Sequence, residues 1–184
     1  MTIRAIIGTV AVLSGLAVLE QSVDASTGEA GTCKSTQAYA LMQPGDQIAV
    51  RAQPTPTGTV LGLIAVPPDG REFAASEVTL NSSQNGWARI VLGGTPNYTA
   101  RDTGKRASYG WIPADLLTVN SRIDGPITTY TRPGLMGHEN GRIVAANMKF
   151  RVLGCHGEWL QVINASIGNI WIDRWCSKAE GCRG

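Results

Sequence analysis

Four cysteines and two histidines carry most of the reactive chemistry in this 184-residue chain: Cys33, Cys155, Cys176 and Cys182, with His138 and His156. Three chemistries compete for them. A thiol nucleophile needs a base and an orienting group. Cys155 and His156 are sequence neighbours at a predicted hairpin turn, from which their side chains diverge. A zinc site wants paired ligands spaced as C-x-x-C. No such pair occurs, so no metal site is expected. An even cysteine count in an exported chain makes two disulfides the expectation. No G-x-S-x-G, H-E-x-x-H or phosphate-cradling glycine loop is present. No catalytic residue and no cofactor is assigned.

Export is read from the first 25 residues. Arg4 is a short positive start, Ala5–Leu19 is an uncharged apolar run, and Val23 and Ala25 are the small residues of a cleavage site. That is the layout of a secretory signal. Fifteen residues is short of the roughly 20 that span a bilayer, so no stable membrane span is expected after cleavage. Removing residues 1–25 takes away Arg4, Glu20 and Asp24 and moves the net charge from +2 to +3. The charge is diffuse, whereas nucleic-acid binding wants a clustered basic face. The one tight cluster, Arg101, Lys105 and Arg106 with Asp102 among them, reads as a solvated loop, and no nucleic-acid partner is expected.

The elements that must position these residues are strands. Gly, Pro, Asn, Asp and Ser recur about every ten residues, between short runs rich in Val, Ile, Leu and Trp. Predicted strands cover Gln47–Arg51, Thr59–Ile64, Glu72–Leu80, Trp87–Leu92 and Tyr109–Ile112. Asn85-Gly86 forms a turn before the fourth, and Pro113–Leu117 a tight helical turn after the fifth. Trp87, Arg89 and Val91 share one face of their strand, and Ala88, Ile90 and Leu92 the other. After a polar joint at 120–126 the order repeats: Ile127–Tyr130, Arg142–Ala146, Lys149–Leu153, Glu158–Asn164 and Asn169–Ile172. A repeat of this kind decides the architecture.

The two halves share a frame. It is Gly86-Trp87-x-x-Ile90-Val91 then Gly110-Trp111-Ile112-Pro113-Ala114-Asp115-Leu116-Leu117 in the first, and Gly157-Glu158-Trp159-Leu160-x-Val162 then Asn169-Ile170-Trp171-Ile172-Asp173 in the second. Ile48-Ala49-Val50-Arg51 with Pro54, and Thr129-Tyr130-Thr131-Arg132-Pro133, precede them. This frame resembles the bacterial SH3 (SH3b) family of exported and cell-wall proteins. The resemblance implies an all-β fold of two tandem small SH3-like β-barrels. The implied layout is a signal peptide at 1–25, an N-terminal segment at 26–39, domain 1 at 40–119, domain 2 at 123–177 and a C-terminal tail at 178–184. Trp87, Trp111, Trp159 and Trp171 are expected inside these barrels, where an indole supplies much of a small core.

Disulfide pairing is argued from the predicted hairpin. With Trp159–Ile163 antiparallel to Asn169–Asp173, Trp159 lies opposite Asp173. Cys155, just before the first strand, then falls near Cys176, just after the second. The expected bridges are Cys155–Cys176 and Cys33–Cys182. Tyr98 in a loop, Tyr130 at a strand end and Trp175 in a turn are the candidate ligand contacts. Leu116 stands where peptide-binding SH3 domains carry a tyrosine. The resemblance therefore implies a periplasmic or secreted, non-catalytic module for cell-envelope material, either peptidoglycan or a protein or peptide partner. An accessory or catalytic part in a cell-wall hydrolase is the second reading.

Overall fold

The computed structural model describes residues 31–69, 74–102, 107–121, 125–134, 137–144 and 148–182. The expected signal peptide, Lys105 and Arg106, and residues 122–124 of the expected joint lie outside that set. The described chain is all-β: β1 (Gly31–Met42), β2 (Gln47–Arg51), β3 (Val60–Ala65), β4 (Ala74–Gln84), β5 (Trp87–Val91), β6 (Tyr98–Ala100), β7 (Tyr109–Pro113), β8 (Leu117–Asn120), β9 (Ile127–Tyr130), β10 (Glu139–Ile143), β11 (Lys149–His156), β12 (Trp159–Asn164) and β13 (Gly168–Ile172). A 3-10 turn, Ala114–Leu116, sits between β7 and β8, where the sequence predicts a tight turn. Among the described residues no helix is long and apolar enough to cross a membrane.

The strands form one continuous sheet with antiparallel ladders, in the order β10-β9-β13-β12-β11-β8-β1-β4-β5-β7-β2-β3-β6. The sequence repeat is visible in that order. On one side the meander β4-β5-β7 leads to the hairpin β2-β3, and on the other β11-β12-β13 leads to β9-β10. Each meander meets its hairpin through a tryptophan: Arg51 pairs with Trp111, and Tyr130 with Trp171.

Alternation decides which face is core. Burial alternates along β2 and β5, so Ile48, Val50, Ala88 and Ile90 point inward with Gly110 and Ile112 of β7. Ile64, Leu80 and Leu117 complete that side of the core. Ile127, Phe150, Leu160, Ile170 and Ile172 are buried on the other side of the sheet order. Burying each such side chain contributes about 2 kcal/mol. This corrects the expectation that the indoles fill the interior. Trp171 is buried at 4% exposure, but Trp87, Trp111 and Trp159 are only half-buried. Beside Trp111 the inner face has no room for a side chain: a Cβ on Gly110 would collide with Cγ1 of Val50. Aliphatic side chains and Phe150 fill the interior, and Trp87 and Trp111 are left on the outer face of β5 and β7.

β1 and β8 lie side by side at the middle of the sheet and join its two halves. The disulfides reinforce that seam and differ from the expected pairs. Cys33 is bonded to Cys155, and Cys176 to Cys182. The turn expected at Gly154–Gly157 comes later, because β11 runs on to His156 and turns only at Gly157 and Glu158. Cys155 is therefore folded back opposite Leu160, beside the start of β1, and is not aligned with Cys176. Around the Cys33–Cys155 bridge, Gly157 N–H donates to Thr32 O (2.7 Å) and Lys34 N–H to Gly157 O (2.8 Å). The buried Ser83 hydroxyl accepts from Cys155 N–H at 2.9 Å.

The C-terminal segment closes against the same seam. Asn120 and Cys176 exchange backbone hydrogen bonds of 2.9 and 2.8 Å, and the Trp175 indole N–H donates to Gln37 O at 2.8 Å. Cys182 is thus held by its neighbour Cys176 across a short loop, away from Cys33. Two disulfides in a chain this size point to an oxidising, extracytoplasmic environment.

Candidate binding face

The half-buried side chains of β5, β7 and β2 form one surface. Asn85 and Gly86, at φ 49° and 77°, make a tight hairpin turn that suits the twist of its strands and starts β5 on Trp87. From there the register is set: Trp87 pairs with Pro113, Arg89 with Trp111, and Val91 with Tyr109. Trp111 also pairs with Arg51 on its other side. Residues directly opposite in an antiparallel pair share a face, so Arg89, Trp111 and Arg51 form a row across three strands. Trp87 and Pro113 flank it on one side, and Val91 and Tyr109 on the other.

Each polar member is held in place. The Arg89 guanidinium lies over the Tyr109 ring at 4.4 Å, a cation–π contact contributing about 0.5–1 kcal/mol at an exposed site. Arg51 Nη1 donates to Gly58 O at 2.8 Å and closes the loop after β2, which Ala52 N–H and Thr59 O also tie at 2.8 Å. Arg51 is therefore a positioning residue, and Arg89, half-buried against Tyr109, is the cation whose guanidinium has no backbone partner among the described residues. Tyr109 and Leu116 are 41% and 42% exposed, which is high for large apolar side chains. Leu116 follows Pro113 in the 3-10 turn that contacts β5. The face therefore offers two indoles, a phenol and a guanidinium on a rigid sheet.

The matching row on the other half is Gln161, Trp171 and Tyr130. It is closed and uncharged. Gln161 is buried and donates through Nε2 to Asn169 Oδ1 at 3.2 Å, Trp171 is buried, and Tyr130 stands edge-on to Trp159 with centroids 4.6 Å apart. Of the two matching rows, that of the first half carries arginines and that of the second does not.

The three expected ligand contacts are not brought together. Tyr98 lies on β6 at one end of the sheet order, where its hydroxyl donates to Leu61 O at 3.4 Å and its ring covers Gly62. Burial pushes its phenol above the ordinary tyrosine range. Tyr130 lies near the opposite end, packed on Trp159, and Trp175 is anchored to β1 in the middle. Trp87 and Trp111 are expected in the core, and Arg89 and Tyr109 are not among the expected contacts. The signal for them was the alternation of 87–92, which separates the faces correctly but does not say which faces water.

His138 and His156 are both exposed. All four cysteines are in disulfides, so no thiol is available as a nucleophile. Among the described residues no cluster of His, Cys, Asp and Glu could hold a metal ion. Lys34 and Glu158 form an exposed ion pair at 2.5 Å beside the Cys33–Cys155 bridge. Their hydrogen bond holds the Glu158 carboxyl below, and the Lys34 ammonium above, the usual range.

No known family profile and no curated protein matches the chain. Among solved structures, NlpC2 from Trichomonas vaginalis is 15% identical with a TM-score of 0.32, over 82% of this chain and 52% of that one. NlpC1 from the same organism is 16% identical with a TM-score of 0.29, over 79% of this chain and 47% of that one. The chain spans about half the length of these structures, and so slight a likeness says nothing about its function.

Proposed function

We propose that this chain is an exported bacterial binding module of two SH3-like units behind a cleaved signal peptide, and that it acts without catalysis in the cell envelope. The repeated meander-and-hairpin order supports the two-unit reading, and the two disulfides support export to the periplasm or beyond. The ligand face is the outer surface of β5, β7 and β2. The observation that carries this is the Arg89–Trp111–Arg51 row with Trp87 and Tyr109 beside it: large aromatics at strand positions, left partly open to water. A rigid aromatic surface with one guanidinium suits peptidoglycan, whose sugar rings can lie on the indoles while a stem-peptide carboxylate meets Arg89.

The test is retention of the full exported chain on purified cell wall at low salt. Wild type is expected to sediment with the wall. Trp111→Ala and Arg89→Ala are each expected to weaken retention at least tenfold while leaving the far-ultraviolet circular dichroism spectrum unchanged. Absence of retention, or equal retention of both variants, would overturn the wall reading. Co-purification of one stoichiometric protein, lost in the same variants, would move the ligand to a protein partner.

A further inference from the structure

We propose that the cleft at the seam of the sheet is a second binding site, one that takes an extended acidic peptide through Lys149 and Arg151. The cleft holds about 500 Å³ and is lined by Leu41 of β1, Thr118 of β8, Lys149 and Arg151 of β11, and Ile163 and Asn164 of β12. That volume lies in the range of organic ligand sites.

The two cations are placed by strand geometry. Along β11, Phe150 is fully buried while Lys149 and Arg151 are exposed, so both project from the outer face. Two residues of strand put their Cα atoms roughly 7 Å apart. Arg151 is centred in the cleft, between Thr118 on β8 and Ile163 on β12. The chain at Lys149 is fixed by Asn164, whose Nδ2 donates to Lys149 O at 2.9 Å. Neither cation is ion-paired with a carboxylate among the described residues. Beside them Leu41 is 36% exposed.

This pattern selects its occupant. An inorganic anion would engage the cations and leave Leu41 and Ile163 uncovered. A membrane surface is recognised by clusters of about four to eight cations, and this concave site has two. An extended peptide places side chains i, i+2 and i+4 on one face, at the same spacing as Lys149 and Arg151. Acidic groups at i and i+2 meet the ammonium and the guanidinium, which can bind a carboxylate with two parallel hydrogen bonds. An apolar side chain at i+4 then lies at the end of the cleft on the side of Leu41, which is two strands across on β1.

The experiment uses the full exported chain and a fluorescein-labelled seven-residue peptide with glutamate at its second and fourth positions, leucine at its sixth and serine elsewhere. Fluorescence polarisation is expected to show saturable binding that weakens with salt and disappears when glutamine replaces glutamate. Lys149→Glu with Arg151→Glu should weaken it at least tenfold, and Arg151→Gln by a smaller step. Trp111→Ala should leave it unchanged, so this site stands or falls separately from the aromatic face. Lack of binding, or binding indifferent to charge reversal, would overturn the proposal. So would binding to phosphatidylglycerol vesicles that requires both cations while the peptide fails to bind.

Discussion

Cys33 and Cys155 are 122 residues apart in sequence, yet their Cα atoms are 5.5 Å apart and their sulfurs are bonded. The bond joins β1, which pairs with β4 of the first half, to β11, the first strand of the second meander. Cys176 and Cys182, six residues apart, join nothing distant and only close the C-terminal segment. The two disulfides therefore constrain very different amounts of unfolded chain.

That difference gives the first prediction. In the chain-entropy account, closing a loop of about 120 residues contributes roughly 5 kcal/mol and a loop of about six roughly 2 kcal/mol. Cys33→Ala with Cys155→Ala should lower stability in urea by clearly more than Cys176→Ala with Cys182→Ala. Paired substitutions leave no stray thiol. A greater loss from the C-terminal pair would show that the seam is held by its hydrogen bonds and packing. Mass mapping of an unreduced digest should show Cys33 with Cys155 and Cys176 with Cys182.

Tyr39 carries a pH dependence. It is 0% exposed, and its hydroxyl has no hydrogen-bond partner among the described residues. Burial, and then the charge of Glu180, push its phenol above the ordinary tyrosine range. The folded state thus holds the proton more tightly than the unfolded chain does. Its stabilising effect is complete below the unfolded tyrosine value and is lost as pH rises through that value toward the folded one. Tyr39→Phe removes a polar group that has no partner, and should be neutral or stabilising by up to about 1 kcal/mol near pH 7. Urea midpoints for the variant should fall less than wild type from about pH 9 upward. Parallel curves would show that Tyr39 ionises freely.

Much of the fold was legible, and the gaps have physical causes. The Asn85-Gly86 turn, the alternation of 87–92 and the repeated frame were all readable, because each depends on local backbone geometry. β1 was not. Ala38, Tyr39 and Ala40 are consecutive and all 0% exposed, so a strand covered on both faces leaves no period-two contrast to detect. It runs across the expected boundary at 39/40. The cysteine pairing failed on a turn displaced by about two residues, since a disulfide magnifies a small register error. Indoles bury well in general, and that tendency alone points the tryptophans inward. The packing of Gly110 on Val50 is a three-dimensional fact that no single strand reveals. For the same reason the open face around Arg89 and the seam cleft between β1, β8, β11 and β12 could not be assembled from the sequence.

Gly110 therefore supplies the sharpest test of why the indoles lie outside. Gly86, the other glycine of a Gly-Trp pair, is at φ 77° with open space around it. Its replacement by alanine should cost about 1–2 kcal/mol from backbone strain alone. Gly110 has no such φ; its constraint is the collision with Val50 Cγ1. Gly110→Ala should cost about 1–3 kcal/mol by overpacking. The causes separate in a double-mutant cycle. Val50→Ala removes the colliding methyl, so Gly110→Ala combined with Val50→Ala should cost less than the sum of the two by about 0.5–3 kcal/mol, whereas Gly86→Ala with Val50→Ala should add within about 0.5 kcal/mol. Additivity at Gly110 would mean that the inner face has space to spare. Close packing would then no longer explain why Trp87 and Trp111 face solvent.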